Sequence, residues 1–279
     1  MRGPAAAGAA VSGDAWSERV VRVLAPNPSP MTLEGTNTFV VAEPGAGGVV
    51  VIDPGPADDG HAGRVMDACA GRRVELVLLT HGHIDHAEGA AAFAVAAGAS
   101  LAAADPALAS AGAPDLEAGT TIEAGGLRLD CVPTPGHAAD HVVFVLADER
   151  AAFSGDHVLG RGSTVVAWPD GDMRAYLDSL QALRGLEPAL ARLYPGHGPL
   201  VEDAPAKLAE YVAHRLERER QVLAALAAGD RTPAQVVARV YAAVPVVLHP
   251  AAERSVRAHL DKLVADGLVG TDGEAFTVA

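Results

Sequence analysis

The segment over residues 80–86, THGHIDH, constrains this chain more than any other feature. It follows an apolar run over residues 74–80 that is typical of a strand covered on both faces. Three histidines and one aspartate then fall within six residues, and imidazole and carboxylate are ligands that zinc accepts in place of thiolate. Gly82 gives the backbone the freedom that lets closely spaced side chains converge. The pattern therefore predicts a metal site in the turn that leaves this strand.

Three further strand ends each carry one residue able to bind a metal. They are Pro-Gly-His at 135–137, Ser-Gly-Asp at 154–156 and Pro-Gly-His-Gly at 195–198. Any one of them alone is a weak signal, but all three place the residue behind a glycine, just past a strand. Together with the first segment they provide seven candidate ligands, enough for two metals: His81, His83, Asp85, His86, His137, Asp156 and His197.

Strand and helix patterns alternate over about 200 residues, which is typical of a layered α/β fold. Apolar runs and hydrophobic periodicity predict the elements. Strands are expected at 19–24, 38–42, 49–53, 74–80, 127–133, 141–146, 151–154 and 190–194, and helices at 87–97 and 173–185.

The chain changes character after Asp203. A long, charge-rich helix is predicted to about residue 228, and a second helix begins at the cap formed by Thr232 and Pro233. A third helix over 251–266 and a hairpin over 268–278 complete the outline of a winged helix. We therefore predict a flexible tail over residues 1–17, a catalytic domain over 18–203, and a long helix plus winged helix over 204–279.

The charge distribution argues against several classes of partner. The chain has 21 Lys+Arg against 35 Asp+Glu, a formal net charge of −14. From residue 204 onward the charges balance, so the whole negative excess lies in the first part. A general nucleic-acid or anionic-membrane binder is therefore not expected, because phosphates would be repelled on average. With no evident secretory signal or membrane-length apolar segment, we expect a cytoplasmic protein.

The set HGHIDH, PGH, SGD and PGHG resembles the metallo-β-lactamase fold hydrolases over about residues 20–200. This resemblance implies a four-layer αββα sandwich with its site at one sheet edge. It implies that His81, His83 and His137 hold a first metal, that Asp85, His86 and His197 hold a second, and that Asp156 bridges them. Two zinc ions are the cofactors expected from the ligand types, although manganese or iron also suits such ligands.

Further segments are similar to the β-lactamase-like protein 2 branch. They are GTNT at 35–38, PTPGHAADH, FSGDHVLGRGSTVV, YLDSL, YPGHGP, the His-Arg-x-x-Arg pattern of His214, Arg215 and Arg218, and the C-terminal winged helix. Members of this branch include endoribonucleases that act on single-stranded RNA, and fungal polyketide relatives are thioesterases.

The resemblance implies a hydroxide that bridges two metals and attacks the substrate, with Asp85 orienting it. It also places Asp53 near the site, as an acceptor that fixes a ligand imidazole. The alternative, an aspartate that caps a turn, is compatible with this role. His141 either faces the substrate or a ligand, or is a structural loop residue. Asn37 lies in a loop that could line the cleft.

Two hydrolase substrates remain open, and a non-enzymatic function is a third alternative. We expect a thioester or small carboxylic ester, possibly carrier-bound, because the catalytic half is strongly negative. Single-stranded RNA is the alternative that the branch suggests. A DNA-binding regulator is disfavoured, because all seven candidate ligands are present and the third helix carries balanced charge. A true β-lactamase is not expected, and the sequence predicts no oligomeric state.

Overall fold

The computed structural model describes residues 13–279, and its first β-sheet has six strands. The sheet order is β1 to β6, antiparallel as far as β4 and parallel from β4 to β6. β4 has the sequence GVVVI and is buried along its whole length, as expected for a strand covered on both faces. The strands are β1 Asp14–Ala15, β2 Val20–Leu24, β3 Asn37–Val41, β4 Gly48–Ile52, β5 Arg73–Leu78 and β6 Ser100–Ala102.

A second sheet of five strands faces the first. Its order is β11-β10-β9-β8-β7, with β10 and β11 parallel and the other neighbours antiparallel. As a consequence β8, β10 and β11 all run in the same direction, which matters for the site below. The strands are β7 Thr121–Ala124, β8 Leu127–Pro133, β9 Val142–Leu146, β10 Ala151–Gly155 and β11 Arg192–Pro195.

The main core lies between the two sheets. Phe39, Ile52 and Leu78 of the first sheet pack against Phe144 and Phe153 of the second, and all five are at most 2% exposed. The rings of Phe39 and Phe153 meet edge to face with centroids 5.2 Å apart. Burial of each such side chain contributes roughly 1.5–3 kcal/mol, so this layer holds the sheets in the register that sets the site.

Helices cover the outer face of each sheet. Val65 and Phe93 on two helices pack on the first sheet, and Tyr176, Leu180 and Leu208 on two others pack on the second. The predicted four-layer αββα sandwich is confirmed. The helices of this part are α1 Asp59–Ala68, α2 Ile84–Ala87, α3 Ala90–Ala97, α4 Met173–Arg184 and α5 Ala204–Ala227, with a 3₁₀ helix at Ala147–Glu149.

The winged helix is confirmed as well. Leu226 of α5, Val236, Leu260 and Phe276 share a separate core. Thr232 caps the second helix through a capping box with Gln235, as the Thr-Pro pair indicates. Its elements are α6 Pro233–Val240, a 3₁₀ helix at Val246–Leu248, α7 His249–Ala265, β12 Val269–Thr271 and β13 Phe276–Val278.

The predicted flexible tail over residues 1–17 is wrong for its last five residues. Asp14 and Ala15 pair with β2, and the Trp16 ring packs with its centroid 5.5 Å from that of Phe39. The reason is that a lone tryptophan preceding a strand can reach the inter-sheet core, which a composition argument does not reveal. Residues 1–12 lie outside the described residues.

The domain boundary predicted between residues 203 and 204 does not separate the two cores. Asp203 is the N-cap of α5, but this helix belongs to both cores. Leu208 and Tyr211 pack with the sandwich, whereas Val222 and Leu226 pack with the winged helix. The charge distribution changes at residue 204, where α5 begins. The boundary between the two hydrophobic cores, in contrast, falls within that helix. Among residues 13–279, no helix is both long and apolar enough to cross a membrane.

Candidate metal centre

The strand directions explain why distant residues meet. β5 ends just before His81 and His83, and the parallel-running β8, β10 and β11 end just before His137, Asp156 and His197, in that order. Strands of the same direction deliver their carboxyl ends to one edge of a sheet. The two sheets face each other, so the four chain ends meet at a common edge of the sandwich. Asp85 and His86 enter from the short helix α2.

Two glycines at these strand ends are required by close contacts. Gly136 has a φ of +135°, and a Cβ atom there would collide with the backbone of Tyr176. Gly155 has a φ of +47°, and a Cβ atom would lie 2.6 Å from Thr80 Oγ1. Both positions precede a candidate ligand, so the tight packing that excludes a side chain also fixes the direction in which His137 and Asp156 leave their strands.

The first group of candidate ligands consists of His81, His83 and His137. His83 Nδ1 lies 3.1 Å from His81 Nε2 and 3.0 Å from His137 Nε2. His81 and His137 are buried, whereas His83 is partly exposed at the rim. Three imidazole nitrogens therefore converge on one point that is open to the cleft.

The second group consists of Asp85, His86, Asp156 and His197. His197 Nε2 lies 3.3 Å from His86 Nε2 and 3.1 Å from Asp85 Oδ2. Asp156 Oδ1 lies 3.3 Å from His197 Nε2 and 3.4 Å from His86 Nε2. The structure thus brings all seven sequence-predicted residues together, in two groups of three and four.

Asp156 lies between the two groups. Its Oδ1 faces His86 and His197 of the second group, while its Oδ2 lies 3.8 Å from His137 Nε2 of the first. Oδ1 is buried and lacks a hydrogen bond of good geometry within residues 13–279. A carboxylate in this position can serve both groups at once.

Two matches to family descriptions agree with this arrangement. The Metallo-beta-lactamase superfamily description matches residues 31–197, which include all seven residues. The Beta-lactamase associated winged helix domain description matches residues 232–276. The chain belongs to the metallo-β-lactamase superfamily. It is accordingly a metal-dependent hydrolase, as the sequence predicted.

Relatives of this metallo-β-lactamase superfamily member cover nearly all of it. A β-lactamase-like protein 2 homologue from Caenorhabditis elegans is 33% identical, over 91% of this chain and 86% of the relative. An atrochrysone carboxyl ACP thioesterase from Aspergillus chevalieri is 37% identical, over 81% and 74%. The crystal structure of a β-lactamase domain protein from Burkholderia ambifaria superposes with a TM-score of 0.82 at 21% identity, over 99% and 96%. This last likeness shows the shared fold.

Hydrogen bonds behind the site orient its imidazoles. Nδ1 of His137 lies 2.8 Å from the Val165 carbonyl, and Nδ1 of His197 lies 3.1 Å from the Gly35 carbonyl. A carbonyl only accepts, so each Nδ1 carries a hydrogen, and the neutral form of each ring presents its Nε2 lone pair to the group. This tautomer is the one that a metal-binding histidine needs.

Asp53 is the carboxylate that fixes His86. Its Oδ2 accepts a hydrogen bond from His86 Nδ1 at 2.8 Å. The same side chain accepts from the Thr80 backbone NH at 2.8 Å and from the Thr80 hydroxyl at 2.7 Å. Asp53 has a φ of +50°, a conformation that aspartate tolerates better than most residues. One buried carboxylate thus ties the end of β5 to the helix that carries Asp85 and His86.

The electrostatics of the site favour positive charge. Burial alone lowers the pKa of His197, but the Asp156 carboxylate outweighs it and raises the pKa to about 9. Burial also raises the pKa of Asp85, yet the hydrogen bond from His197 prevails and holds that pKa below its usual value. His137 faces other imidazoles, and burial lowers its pKa to about 4. The second group is therefore the more strongly anionic of the two.

Two residues singled out in the sequence lie behind the site, and neither lines the cleft. Asn37 is fully buried and donates to the carbonyls of Pro195 at 2.8 Å and Gly198 at 2.9 Å, so it braces the loop that carries His197. His141 is buried, with its ring stacked 5.0 Å from that of His81 and its Nδ1 2.8 Å from Thr134 Oγ1. Both side chains are buried and neither lines the cleft, which favours a supporting role behind the ligands over contact with a substrate.

The site opens into a cleft of about 460 Å³. Met31, Leu33 and Trp168 give it apolar walls, and Arg254 reaches it from α7 of the winged helix. Sequence reasoning missed the three apolar residues, because isolated apolar side chains in loops carry no motif. It also missed Thr164, whose hydroxyl donates to the Asp156 carbonyl at 2.7 Å.

We expect Asp53→Asn to weaken metal binding by about 10–100-fold, which is typical for loss of a group that orients a ligand. The amide can still accept from the Thr80 NH, but its nitrogen cannot accept from His86 Nδ1. Competition with a chromophoric chelator measures the affinity. Asp67→Asn, at an exposed position on α1, is the control. Unchanged affinity in Asp53→Asn would show that His86 keeps its orientation without this carboxylate.

Proposed function

We propose that this protein is a dinuclear metal hydrolase that cleaves thioesters. The observation that carries the proposal is the position of Asp156, whose two oxygens face two separate groups of ligand atoms. The first metal would be held by His81, His83 and His137, the second by Asp85, His86 and His197, and Asp156 would be shared. Zinc is the metal that this donor set favours.

The residues fit such cations on chemical grounds. In their neutral forms these imidazoles place lone pairs 3.0–3.3 Å apart, which repel one another unless a cation lies between them. The buried Asp156 Oδ1 lacks a hydrogen bond of good geometry and faces two imidazole nitrogens, so it is suited to bind a cation placed among them. When bound, the metals supply Lewis acidity, which acidifies a water molecule and polarises a substrate oxygen.

Asp85 is the residue that we assign to positioning the attacking water. It is 23% exposed and lines the cleft, whereas His86 and His197 are buried. Its carboxylate is held by His197 at 3.1 Å and stays ionised, so it can accept a hydrogen bond from water on the cleft side. The water oxygen forms the new bond to the carbonyl carbon and the carbon–sulfur bond breaks. One water proton goes to the sulfur, giving the thiol, and the other is released to solvent when the carboxylic acid product ionises to the carboxylate.

Four points support a thioester as the substrate. A thiol leaves readily, because its pKa of about 8.5 demands little proton donation from the protein. The apolar walls of Met31, Leu33 and Trp168 suit an acyl group. The formal net charge of −14 disfavours a polyanion such as RNA. The relative from Aspergillus chevalieri is named a thioesterase that acts on an acyl carrier protein, which further supports a carrier-bound or free thioester.

A substrate panel tests this proposal directly. Metal-loaded protein is assayed against acyl thioesters, lactones, bis-aryl phosphodiesters and single-stranded RNA under identical conditions. We expect kcat/KM for the best thioester to exceed that for every other class by at least about 100-fold, a difference of about 2.7 kcal/mol in transition-state binding. Turnover of RNA alone would overturn the proposal and establish an endoribonuclease.

A further inference from the structure

A second cavity, of about 210 Å³, adjoins the metal-site cleft. It lies where α5 meets the winged helix, and it shares Met31, Thr164 and Val165 with the cleft. Its other walls are apolar residues of the winged helix, including Val244 and Leu248. The cavity also contains three residues of the His-Arg-x-x-Arg pattern, His214, Arg215 and Arg218. The proposed hydrolysis assigns no role to this pattern.

Arg215 is a buried cation that lacks an anionic partner. It is only 3% exposed, and it donates to the backbone carbonyl of Thr164. Its guanidinium carbon lies 5.1 Å from the centre of the Tyr176 ring. Its Nε is buried without a hydrogen-bond partner within residues 13–279. A buried guanidinium that contacts only neutral groups is poorly compensated.

Arg218 lies about one turn further along α5 and, like Arg215, contacts only neutral groups. Its acceptors are the Gln221 side chain at 2.8 Å and the Val240 carbonyl at 3.3 Å, and it stacks 4.5 Å from the Tyr241 ring centre. His214 adds no negative charge: burial, together with both arginines, lowers its pKa to about 4. The cavity therefore holds two positive charges and a neutral imidazole.

Other cations of α5 show that pairing is available on this helix. Lys207 pairs with Glu210 at 3.0 Å, and Arg220 pairs with Glu217 at 2.6 Å. The carboxylate of each pair is exposed to solvent, so the pairs contribute little. Among residues 13–279, neither Arg215 nor Arg218, the more buried arginines, forms an ion pair with a carboxylate. An anion from outside the chain would therefore find two guanidinium groups without a carboxylate partner.

We propose that this cavity binds an oxyanion, a carboxylate or phosphate, carried by the substrate. Guanidinium groups bind both anions with paired, charge-assisted hydrogen bonds, and the apolar walls accommodate the stem that carries the anion. The link to the reacting centre is short: Thr164 accepts from Arg215, and its hydroxyl donates to the Asp156 carbonyl at 2.7 Å. This inference rests on the proposed thioester hydrolysis and defines the class of thioester that the site selects.

Matched substrates separate the two sources of the anion. One pair of thioesters has the same leaving thiol, with acyl chains that end either in a carboxylate or in a methyl group. A second pair has the same acyl group on phosphopantetheine or on pantetheine. We expect wild-type protein to prefer the anionic member of one pair by about 10–100-fold in kcat/KM, and Arg218→Gln to abolish that preference while retaining turnover of the neutral member. The pair that shows the preference identifies the anion: a carboxylate if it is the first pair, and a phosphate if it is the second.

Arg220→Gln is the matched control, since Arg220 lies on the same helix but is exposed and outside the cavity. It should keep the preference of the wild type. Equal preference in wild type and Arg218→Gln, or no preference in the wild type, would overturn the inference. If no thioester is turned over, the proposed function fails. The anion site can then still be tested by titration calorimetry, which measures the binding of inorganic phosphate and of glutarate to the cavity. Binding about 10-fold tighter to wild type than to Arg218→Gln supports it, and equal binding refutes it.

Discussion

Asp156→Asn should bind at most one metal per chain and lose at least about 10³-fold in kcat/KM. The side chain lies between the two groups of imidazoles, and its oxygens face both. The amide keeps the volume but removes the charge, so His86 and His197 lose the anion that balances a cation beside them. The proposed metals contribute several kcal/mol of charge stabilisation, and each 1.36 kcal/mol corresponds to a factor of ten in rate.

Metal content and kinetics must be measured on the same Asp156→Asn sample. Asp148→Asn, at an exposed position after β9, controls for the loss of one negative charge. Thermal unfolding of both variants in the presence of chelator tests whether the fold itself depends on the carboxylate. Two tightly bound metals together with wild-type turnover in Asp156→Asn would contradict a bridging position.

Asp85→Asn should lower kcat by about 10²–10⁴-fold when assayed at saturating metal, with little change in KM. That magnitude is typical for the loss of a positioned proton acceptor. The amide is uncharged and a weaker hydrogen-bond acceptor, so it orients the attacking water poorly. KM should be little affected, because the apolar walls that would contact the acyl group lie elsewhere in the cleft. Single-turnover kinetics separate the chemical step from product release.

The control for Asp85→Asn is Glu88→Gln, three residues further along and exposed. Titration of metal into Asp85→Asn is also needed, since this residue belongs to the second group. If kcat recovers fully as metal is added, Asp85 acts only through metal binding, and its assignment to water positioning is wrong.

The features that could be predicted from the sequence are those that depend on residues close together along the chain. The THGHIDH segment follows an apolar strand, and three glycine-containing turns follow other strands, so their convergence at one edge is a consequence of strand direction. Thr232 with Pro233, and Gly267 after α7, likewise mark helix ends through local backbone preferences.

What could not be predicted depends on contacts between distant residues or on short elements. Asn37 donates hydrogen bonds to two carbonyls of the His197 loop that lie 158 and 161 residues later in the sequence, and no local pattern encodes these contacts. β6 and β7 have only three and four residues, too few for a periodicity to show. α1 includes Gly60 and Gly63, which weaken any helical signal. The pairing of Arg215 with the Thr164 carbonyl is equally invisible in the sequence.

The most direct test of the central claim is the number of metal atoms bound per chain. The wild-type protein is stripped with a chelator, reloaded with zinc and freed of excess metal, and its metal content is then determined by mass spectrometry alongside thioesterase activity. The account predicts two metals per chain, activity that is lost on stripping, and activity that returns as the second metal binds. A stripped chain that keeps full activity, or a fully active chain that holds fewer than two metals, would contradict it.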